Sequence, residues 1–475
     1  MFANHRAYWK TGISLVLMLA AGWSASAQSD QQKTKIFTLE EAVDFALKNY
    51  PAVRASLERV RAAEAGVGLA RTSYLPWTEV RWQSNRATDN NIAGLTLPNS
   101  VIAPITGPVT LSPSNRSAWG SAGGLLFSWE PLDFGYRGAK VNAARAVQSR
   151  AGAEASLTRL DVGIATVNAY LTLLAAEKTV RAAEADVERR QTFTKSVHVL
   201  VDNQLRAGAD ASRADAELAR ARVNLARAQQ QEATSRAQLA DILGIAGATV
   251  EVRENTLLGA PQAAAPPSTP ISANPAAEVQ RARVRESQSL VHALDRSYYP
   301  KLYLQSVVMG RGSGVDPTGK FLGGREGLGP DRANWAAGLM VTFPVFDIFS
   351  IKFKKAAEAA NERAEETRYD QALQDLTGQL HKAQASLDGA RKVAENTPLE
   401  LEAARTTETQ ERARYQAGLA TLVDVSDAQS FFVQAEIDDA LARLAVWQNL
   451  ASVAAAQGDL SPFLQSLHDK TQGTP

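Results

Sequence analysis

Residues 119–129 read WGSAGGLLFSW, and the three aromatic residues and Leu125 all fall on odd positions. Residues 335–343, WAAGLMVTF, repeat this pattern with Trp335, Leu339, Val341 and Phe343 on odd positions. A period of two is typical of a β-strand that has one apolar face. Each stretch therefore predicts a strand of this kind.

A weaker strand precedes each of these two strands, which predicts two antiparallel hairpins. We expect the four strands at about 77–86, 117–129, 302–309 and 334–343. Turn-rich segments at 88–116 and 311–332 separate the strands of each hairpin. Long irregular segments of this kind suit exposed hairpin loops.

The spacing of the aromatic residues suits a strand that crosses a membrane. Trp119 and Trp129 are ten residues apart, which is about 33 Å along a strand and about 25 Å in height at a tilt of roughly 40°. This height matches the apolar band of a transmembrane β-barrel, so we assign Trp119, Trp129, Trp335 and Phe343 to membrane girdles. The alternative is an ordinary sandwich strand with aromatic residues in its core. Four strands cannot close a barrel, so a membrane-spanning version needs strands from several chains.

The chain also repeats itself internally. Eight positions match at a fixed offset of 224 residues, among them Pro51 with Pro275 and Pro76 with Pro300. The matches indicate a duplicated helix–strand–strand–helix unit. We predict a signal peptide at 1–27, a first structural repeat at 28–254, a linker at 255–274, a second repeat at 275–458 and a C-terminal tail at 459–475.

Long stretches between the strands predict long helices. Residues 136–203 contain no proline and would form about 100 Å of helix. We expect further helices at about 212–243, 349–416 and 421–457. The first helix carries a coiled-coil seam of residues spaced by three and four, which are Leu157, Leu160, Ile164, Val167, Leu171 and Leu174.

Alanine ladders mark the second long helix. One ladder contains Ala214, Ala221 and Ala228, and the other contains Ala219, Ala226, Ala233 and Ala240. Two such stripes let a helix pack between two neighbours, as the wall of a helical cylinder requires, whereas a simple antiparallel coiled coil needs one stripe. Pro398 interrupts a later helical stretch, where we expect a kink or a break. The predicted fold is mainly α, with a long α-helical coiled-coil barrel and a four-stranded antiparallel contribution to a transmembrane β-barrel.

Matching tips join the two long helices of each repeat. Glycine after a helical stretch suits the left-handed position that ends a helix. A Ser or Thr followed three residues later by an acid suits the cap of the next helix. The tip turns are predicted from Gly208, Ser212 and Asp215 in the first repeat and from Gly418, Thr421 and Asp424 in the second.

Composition excludes several classes of protein. The 51 basic and 50 acidic side chains leave a formal charge of +1, so nothing indicates nucleic-acid binding. The absence of cysteine excludes disulfides, cysteine–zinc sites and a thiol nucleophile. The five histidines lack metal-ligand spacing, and we predict no enzyme, no metal and no cofactor. Arg6, Lys10, an apolar run and the triplet Ala25-Ser26-Ala27 predict a cleaved secretory signal.

Together these features resemble the TolC-like outer-membrane efflux proteins over essentially the whole mature chain. The motifs that carry the resemblance are TLEEA at 38–42, NYP at 49–51, YLP at 74–76, YP at 299–300, PLDFG at 131–135, PVFD at 344–347, RYQAG at 414–418, VDV at 423–425 and DAQ at 427–429.

The resemblance implies an outer membrane channel subunit of a tripartite efflux or type I secretion system in a Gram-negative bacterium. It implies a homotrimer with a twelve-stranded barrel in outer membrane lipid and a helical tunnel in the periplasm. Its tips would dock on a periplasmic adaptor and an inner-membrane transporter. The alternative is a periplasmic coiled-coil adaptor or scaffold that is not inserted in a membrane, which explains the helices but not the two aromatic-flanked hairpins.

The resemblance also implies a periplasmic gate at the second tip, with Asp424 and Asp427 lining a constriction. Three copies would form a negative ring that favours cations. The alternative roles are a helix cap for Asp424 and a solvated first-turn acid for Asp427. Some relatives hold the tips closed with an arginine at the position of Ala420. Closure is therefore expected to depend on packing around Tyr415 and Leu422.

Overall fold

The computed structural model describes residues 35–88, 115–253, 270–316, 318 and 320–471. The predicted signal peptide, 1–27, lies outside these residues, as do 255–269 of the predicted linker and 89–114 of the first hairpin loop. The described chain is mainly helical, with one four-stranded antiparallel sheet and one two-stranded sheet.

The four-stranded sheet contains both hairpins. Its strands are β2 (Trp77–Thr88), β3 (Ser117–Leu132), β5 (Lys301–Ser313) and β6 (Arg332–Thr342). They lie in the order β2-β3-β5-β6, and all three pairings are antiparallel. β2 and β6 are therefore the free edges of the sheet, and every residue of β6 is exposed. β2, β3 and β5 extend beyond the predicted strands because the ladders continue past the apolar repeats, in β3 across a register shift between Trp129 and Leu132.

Eight α-helices make up most of the described chain. They are α1 (Leu39–Asn49), α2 (Pro51–Thr72), α3 (Tyr136–Asp202), α4 (Gly208–Ile242), α5 (Pro275–Arg296), α6 (Asp347–Gln416), α7 (Leu422–Gln457) and α8 (Ser461–Thr471). At 67 and 70 residues, α3 and α6 are each about 100 Å long.

The break expected at Pro398 is absent, because α6 continues through this residue. Proline removes one backbone hydrogen bond of the helix. Packing on both sides of Pro398 opposes a break. Thr397 and Ala404 are buried, and the Thr397 hydroxyl donates to Oδ1 of Asp439 on α7 at 3.1 Å.

The structure contains a short helix in the predicted C-terminal tail and a two-stranded sheet, and the sequence pattern predicted neither. The predicted C-terminal tail contains α8, whose Phe463 and Leu467 are buried. The strands β1 (Lys35–Phe37) and β4 (Val250–Val252) form a parallel pair. At three residues each, they are too short for a periodic signal in the sequence.

The sheet and two successive layers of helices are each arranged as an arc of four members. Below the sheet, contacts connect α2 to α3, α3 to α5 and α5 to α6. Further along, α4 contacts α3, α3 contacts α7 and α7 contacts α6. Each arc therefore has two free ends, and α6 lies at one end of both helical arcs. Ala214, Ala221 and Ala228 of α4 are buried, whereas Ala219, Ala226 and Ala233 are exposed.

The main core lies midway along α3, where α1, α4, α7 and α8 surround it. Leu171, Leu174 and Trp447 are almost fully buried there. Each such side chain contributes roughly 1.5–3 kcal/mol through the hydrophobic effect. One stretch of α3 is apolar enough to cross a membrane by composition, but half of it is buried within the chain, as in the core helix of a soluble fold.

Tyr170 connects α3 to the small sheet. Its ring is fully buried, and its hydroxyl lies 3.2 Å from the carbonyl oxygen of Phe37 and 2.9 Å from that of Arg253. Burial is the main cause that raises the pKa of this hydroxyl, so it remains protonated and can donate. The contact fixes the ends of β1 and β4 against α3.

We predict that Tyr170→Phe destabilises the protein by about 1–2 kcal/mol, because a buried carbonyl loses its donor while the ring remains. The melting temperature of detergent-solubilised protein should fall by a few degrees in circular dichroism. Tyr369→Phe is the matched control, since Tyr369 on α6 makes no hydrogen bond to the described residues. Equal melting temperatures for the two variants would contradict the prediction.

Candidate functional site

The cross-strand register sorts the large sheet into two faces. Paired residues lie on the same face, and successive residues alternate. Trp119 and Trp129 share a face with Leu125, which pairs with Val308, which in turn pairs with Trp335. We call this the apolar face, and its large side chains are Val80, Trp82, Trp119, Leu125, Phe127, Trp129, Leu302, Leu304, Val308, Trp335, Leu339 and Val341.

The apolar face contains almost no charge. Arg86, next to the first hairpin loop, is the one charged residue that the described strands place on it. Its guanidinium lies over the ring of Trp119 at 5.6 Å and donates to Ser117. Phe343 directly follows β6 and is exposed. This face has the composition of a surface that contacts lipid.

The opposite face is polar, and we call it the polar face. Its polar side chains are Glu79, Arg81, Gln83, Ser128, Glu130, Lys301, Tyr303, Gln305, Arg311, Ser313, Arg332, Asn334 and Thr342. Five large apolar side chains lie among them, which are Trp77, Leu126, Val307, Met309 and Met340. On the central strand β3 this face carries the small residues Gly120, Ala122 and Gly124. A sheet with one apolar and one polar face can separate lipid from water.

The second tip joins α6 to α7 as the sequence pattern describes. Gly418 adopts a φ of 79°, in the left-handed region, and Thr421 is the N-cap of α7. Oδ2 of Asp424 accepts from the Thr421 N–H and hydroxyl, each at 2.8 Å. These hydrogen bonds hold the pKa of Asp424 below its usual value.

Asp427 lies one turn further along α7 and is exposed. It makes no hydrogen bond or ion pair to any residue that the structure describes. Its carboxylate is thus available to solvent, whereas Asp424 is already engaged as a cap partner.

At the first tip the predicted cap is wrong. α4 begins at Gly208, Ala207 is its N-cap, and Ser212 lies within the helix. The left-handed residue is Gln204, with a φ of 59°, so the turn occurs earlier than the glycine suggests. Asp215 is not a cap partner either. Its carboxylate lies 3.0 Å from Nε2 of His198 on α3, which raises the pKa of His198.

Tyr415 is the centre of the tip cluster, which we define as Phe193, Val197, Ala214, Tyr415, Leu422 and Val425. Its side chain is 1% exposed, and the rings of Phe193 and Tyr415 meet edge to face with centroids 5.4 Å apart. The cluster brings α3, α4, α6 and α7 together just above both tips. The structure therefore places Tyr415 inside the helix bundle of its own chain.

Two residues of the first tip hold Tyr415, and sequence reasoning missed both. Arg206 donates to the carbonyl oxygen of Tyr415, and its guanidinium lies 4.3 Å from the ring centroid. The Tyr415 hydroxyl donates to Oδ2 of Asp210 at 3.3 Å. Burial, with the charge of Asp210 next, raises the pKa of the Tyr415 hydroxyl. Only the fold brings these residues together, since they lie about two hundred positions apart in the sequence.

A buried ion pair connects three helices above the tip cluster. Arg190 on α3 lies 3.0 Å from both carboxylate oxygens of Asp186, and it reaches Glu217 on α4 and Ser430 on α7. Both Asp186 and Arg190 are buried. The spacing of four residues is visible in the sequence, but the burial is not.

The profile of a family described as "Outer membrane efflux protein" matches residues 42–245 and 267–459. The chain belongs to this family. It is therefore an outer membrane efflux protein, a class of channels located in the outer membrane, as the motifs predicted. The family is one of channel proteins and not of enzymes.

This chain also resembles individual proteins and solved structures. Protein CyaE of Bordetella pertussis is 26% identical over 464 residues, which cover 93% of this chain and 88% of that protein. A membrane protein from Pseudomonas aeruginosa superposes with a TM-score of 0.73 at 20% identity, covering 88% and 92% of the two chains. The outer membrane protein VceC from Vibrio cholerae gives 0.70 at 17% identity, covering 89% and 96%. At these identities the two structures establish a shared fold.

We predict that Thr421→Ala weakens the start of α7 by about 1 kcal/mol, because it removes the cap. Amide hydrogen exchange in the first turn of α7, followed by mass spectrometry, should become roughly fivefold faster. Ser212→Ala should leave exchange at the start of α4 unchanged, since Ser212 is not a cap. Equal acceleration in both helices would contradict the assignment.

Proposed function

We propose that three copies of this outer membrane efflux protein form one closed tunnel across the outer membrane and the periplasm. The observation that carries the proposal is the pair of free edges along the whole subunit. β6 and α6 form one edge, and β2, α2 and α4 form the other. β6 exposes Trp335 and Leu339 by 79% and 72%, and soluble monomers avoid an exposed apolar edge strand of this length.

Joining the two different edges between neighbours gives a head-to-tail interface. Such an interface forms a ring when the rotation between neighbours closes, and we propose that it closes after three subunits. Three sheets of four strands make a twelve-stranded barrel with the apolar face outward and the polar face inward. The aromatic residues Trp119, Trp129, Trp335 and Phe343 would then form the girdles. The exposed ladder Ala219, Ala226 and Ala233 would let α4 approach α6 of the next subunit closely.

Element lengths support a duplicated unit. α2 and α5 both contain 22 residues and begin with the equivalent prolines, Pro51 and Pro275. β2 and β5 begin at Trp77 and Lys301, which keeps the offset of 224 residues. Duplication of one helix–strand–strand–helix unit in the gene would give each subunit two copies of the unit, and so four strands. The ring would then contain six repeats.

The tips would form the periplasmic end of the tunnel and dock on a periplasmic adaptor and an inner-membrane transporter. Asp427 is the stronger candidate for a gate residue, because its carboxylate has no other engagement in the described chain. Asp424 would contribute charge to the same ring while it caps α7. Tyr415, held by Arg206 and Asp210, would fix the second tip to the first. A periplasmic adaptor or scaffold is not supported, because the family is one of outer-membrane channels.

The test is single-channel recording of the purified trimer in a planar bilayer. Wild-type protein should give a small conductance that prefers cations. Asp427→Asn should raise the conductance or reduce the cation preference, since it removes three charges from the constriction without removing a cap. Asp424→Asn should also reduce the cation preference, but by less than Asp427→Asn does.

Asp388→Asn is the matched control, because it makes the same charge change on an exposed part of α6, 28 residues before its end. A pore that responds equally to Asp388→Asn and Asp427→Asn would contradict the gate and leave the channel intact. A trimer extracted from the outer membrane that gives no conductance would contradict the proposed function itself.

A further inference from the structure

The charges on the polar face of the sheet are not balanced. Among the described strand residues, this face carries four basic side chains, which are Arg81, Lys301, Arg311 and Arg332, and two acidic ones, Glu79 and Glu130. Glu79 accepts from Arg81 at 2.9 Å, so this pair is neutral. Glu130 lies near Tyr303, at the same end of the sheet as Lys301, and offsets its charge. The excess of positive charge on the strands therefore lies at the outer end.

The outer end carries a pair of like charges. Arg311 on β5 lies directly opposite Arg332 on β6, at the end of the sheet away from the helices. Like charges directly opposite each other destabilise an antiparallel pair, and Asp331, next to Arg332, offsets part of this charge. The same row continues through Ala122 on β3 to Gln83 on β2.

The inner end carries a second basic feature in a cleft. This cleft has a volume of about 410 Å³ and lies where the sheet meets α6. Lys301, Tyr303 and Thr342 line it from the polar face, and Lys354, Ser350 and Asp347 line it from α6. The Lys301 ammonium lies 4.6 Å from the ring centroid of Tyr136 on α3, while Lys354 lies on the α6 side of the cleft. Together with several hydroxyl groups, these lysines suit a carboxylate or phosphate ligand.

We propose that the barrel part of the tunnel attracts anionic solutes, which carry carboxylate or phosphate groups. This inference rests on the proposed function, because the polar face becomes a lumen only in the closed ring. Three copies of Arg311 and Arg332 then form a basic collar at the outer mouth. Three clefts with Lys301 and Lys354 add ammonium groups at the inner end, where Asp347 and Glu130 offset their charge. A field of this kind raises the local concentration of anions.

The barrel and the tips therefore differ in the sign of their charge. The Asp427 ring acts at the narrow end, where every ion passes close to it. The basic collar acts at the wall of a wider lumen, and salt screens it beyond about 8–10 Å. Its effect is consequently strongest for solutes with several negative charges and at low ionic strength.

The experiment is block of the single-channel current by tripolyphosphate, added separately to the barrel side and to the tip side at low salt. We expect block from the barrel side at lower concentration than from the tip side. Arg311→Gln/Arg332→Gln should raise the half-blocking concentration on the barrel side at least tenfold. Lys301→Gln/Lys354→Gln should raise it as well, by a smaller factor, because those groups lie deeper.

Arg86→Gln is the matched control, since it removes a positive charge from the outer end of the same sheet but on the apolar face. It should leave block unchanged. The proposal is overturned if tripolyphosphate blocks equally from both sides, or if the Arg311/Arg332 variant and Arg86→Gln have the same half-blocking concentration. Those results would leave the channel itself intact, whereas a trimer without conductance would refute the proposed function and this inference together.

Discussion

The unpaired edges of the sheet are the constraint on which the rest of this structure depends. β2 and β6 each present a row of backbone N–H and C=O groups that no described strand of the same chain pairs. Water can satisfy such groups, but hydrocarbon cannot, and each unsatisfied group there costs several kcal/mol. A sheet with an apolar face of this composition is therefore stable in a membrane only when other strands complete it.

The helices also have two exposed edges, which lie away from the membrane. α6 is exposed along most of its 70 residues, and the exposed alanines of α4 lie at the other end of the arc. α3 is the central helix of the subunit, since it contacts α2, α4, α5 and α7. Its two anchor points are the core around Tyr170 and the tip cluster around Tyr415. Arg190 lies between them and connects α3 to α4 and α7 through buried polar contacts.

Much of this architecture follows from periodicity in the sequence. The odd positions of 119–129 predicted one apolar face, and the register confirms that Trp119, Leu125 and Trp129 share it. Long proline-free stretches predicted long helices because backbone propensity acts locally. The four strands and the mainly helical fold could thus be predicted from the sequence alone.

The remaining features depend on contacts that no local pattern encodes. Pro398 stays inside α6 because packing against α7 opposes a break. Ser212 resembles a cap in sequence, yet Ala207 is the cap, since the chain turns at Gln204 before the glycine. The site at the tips could be named only in part, because Arg206 and Asp210 reach Tyr415 from the other repeat.

Cysteine cross-linking of the two free edges tests the closed ring most directly, since the chain has no cysteine of its own. Ala337→Cys on β6 should be combined, one at a time, with cysteine at each of residues 78–84 on β2. Within one chain these strands are about 14 Å apart, too far for a disulfide. The closed ring predicts covalent trimers, with none larger, for at least one of Thr78, Val80, Trp82 and Ser84, which share the face of Ala337, and not for the alternate positions. No cross-link at any position, or a ladder of ever larger species, would contradict it.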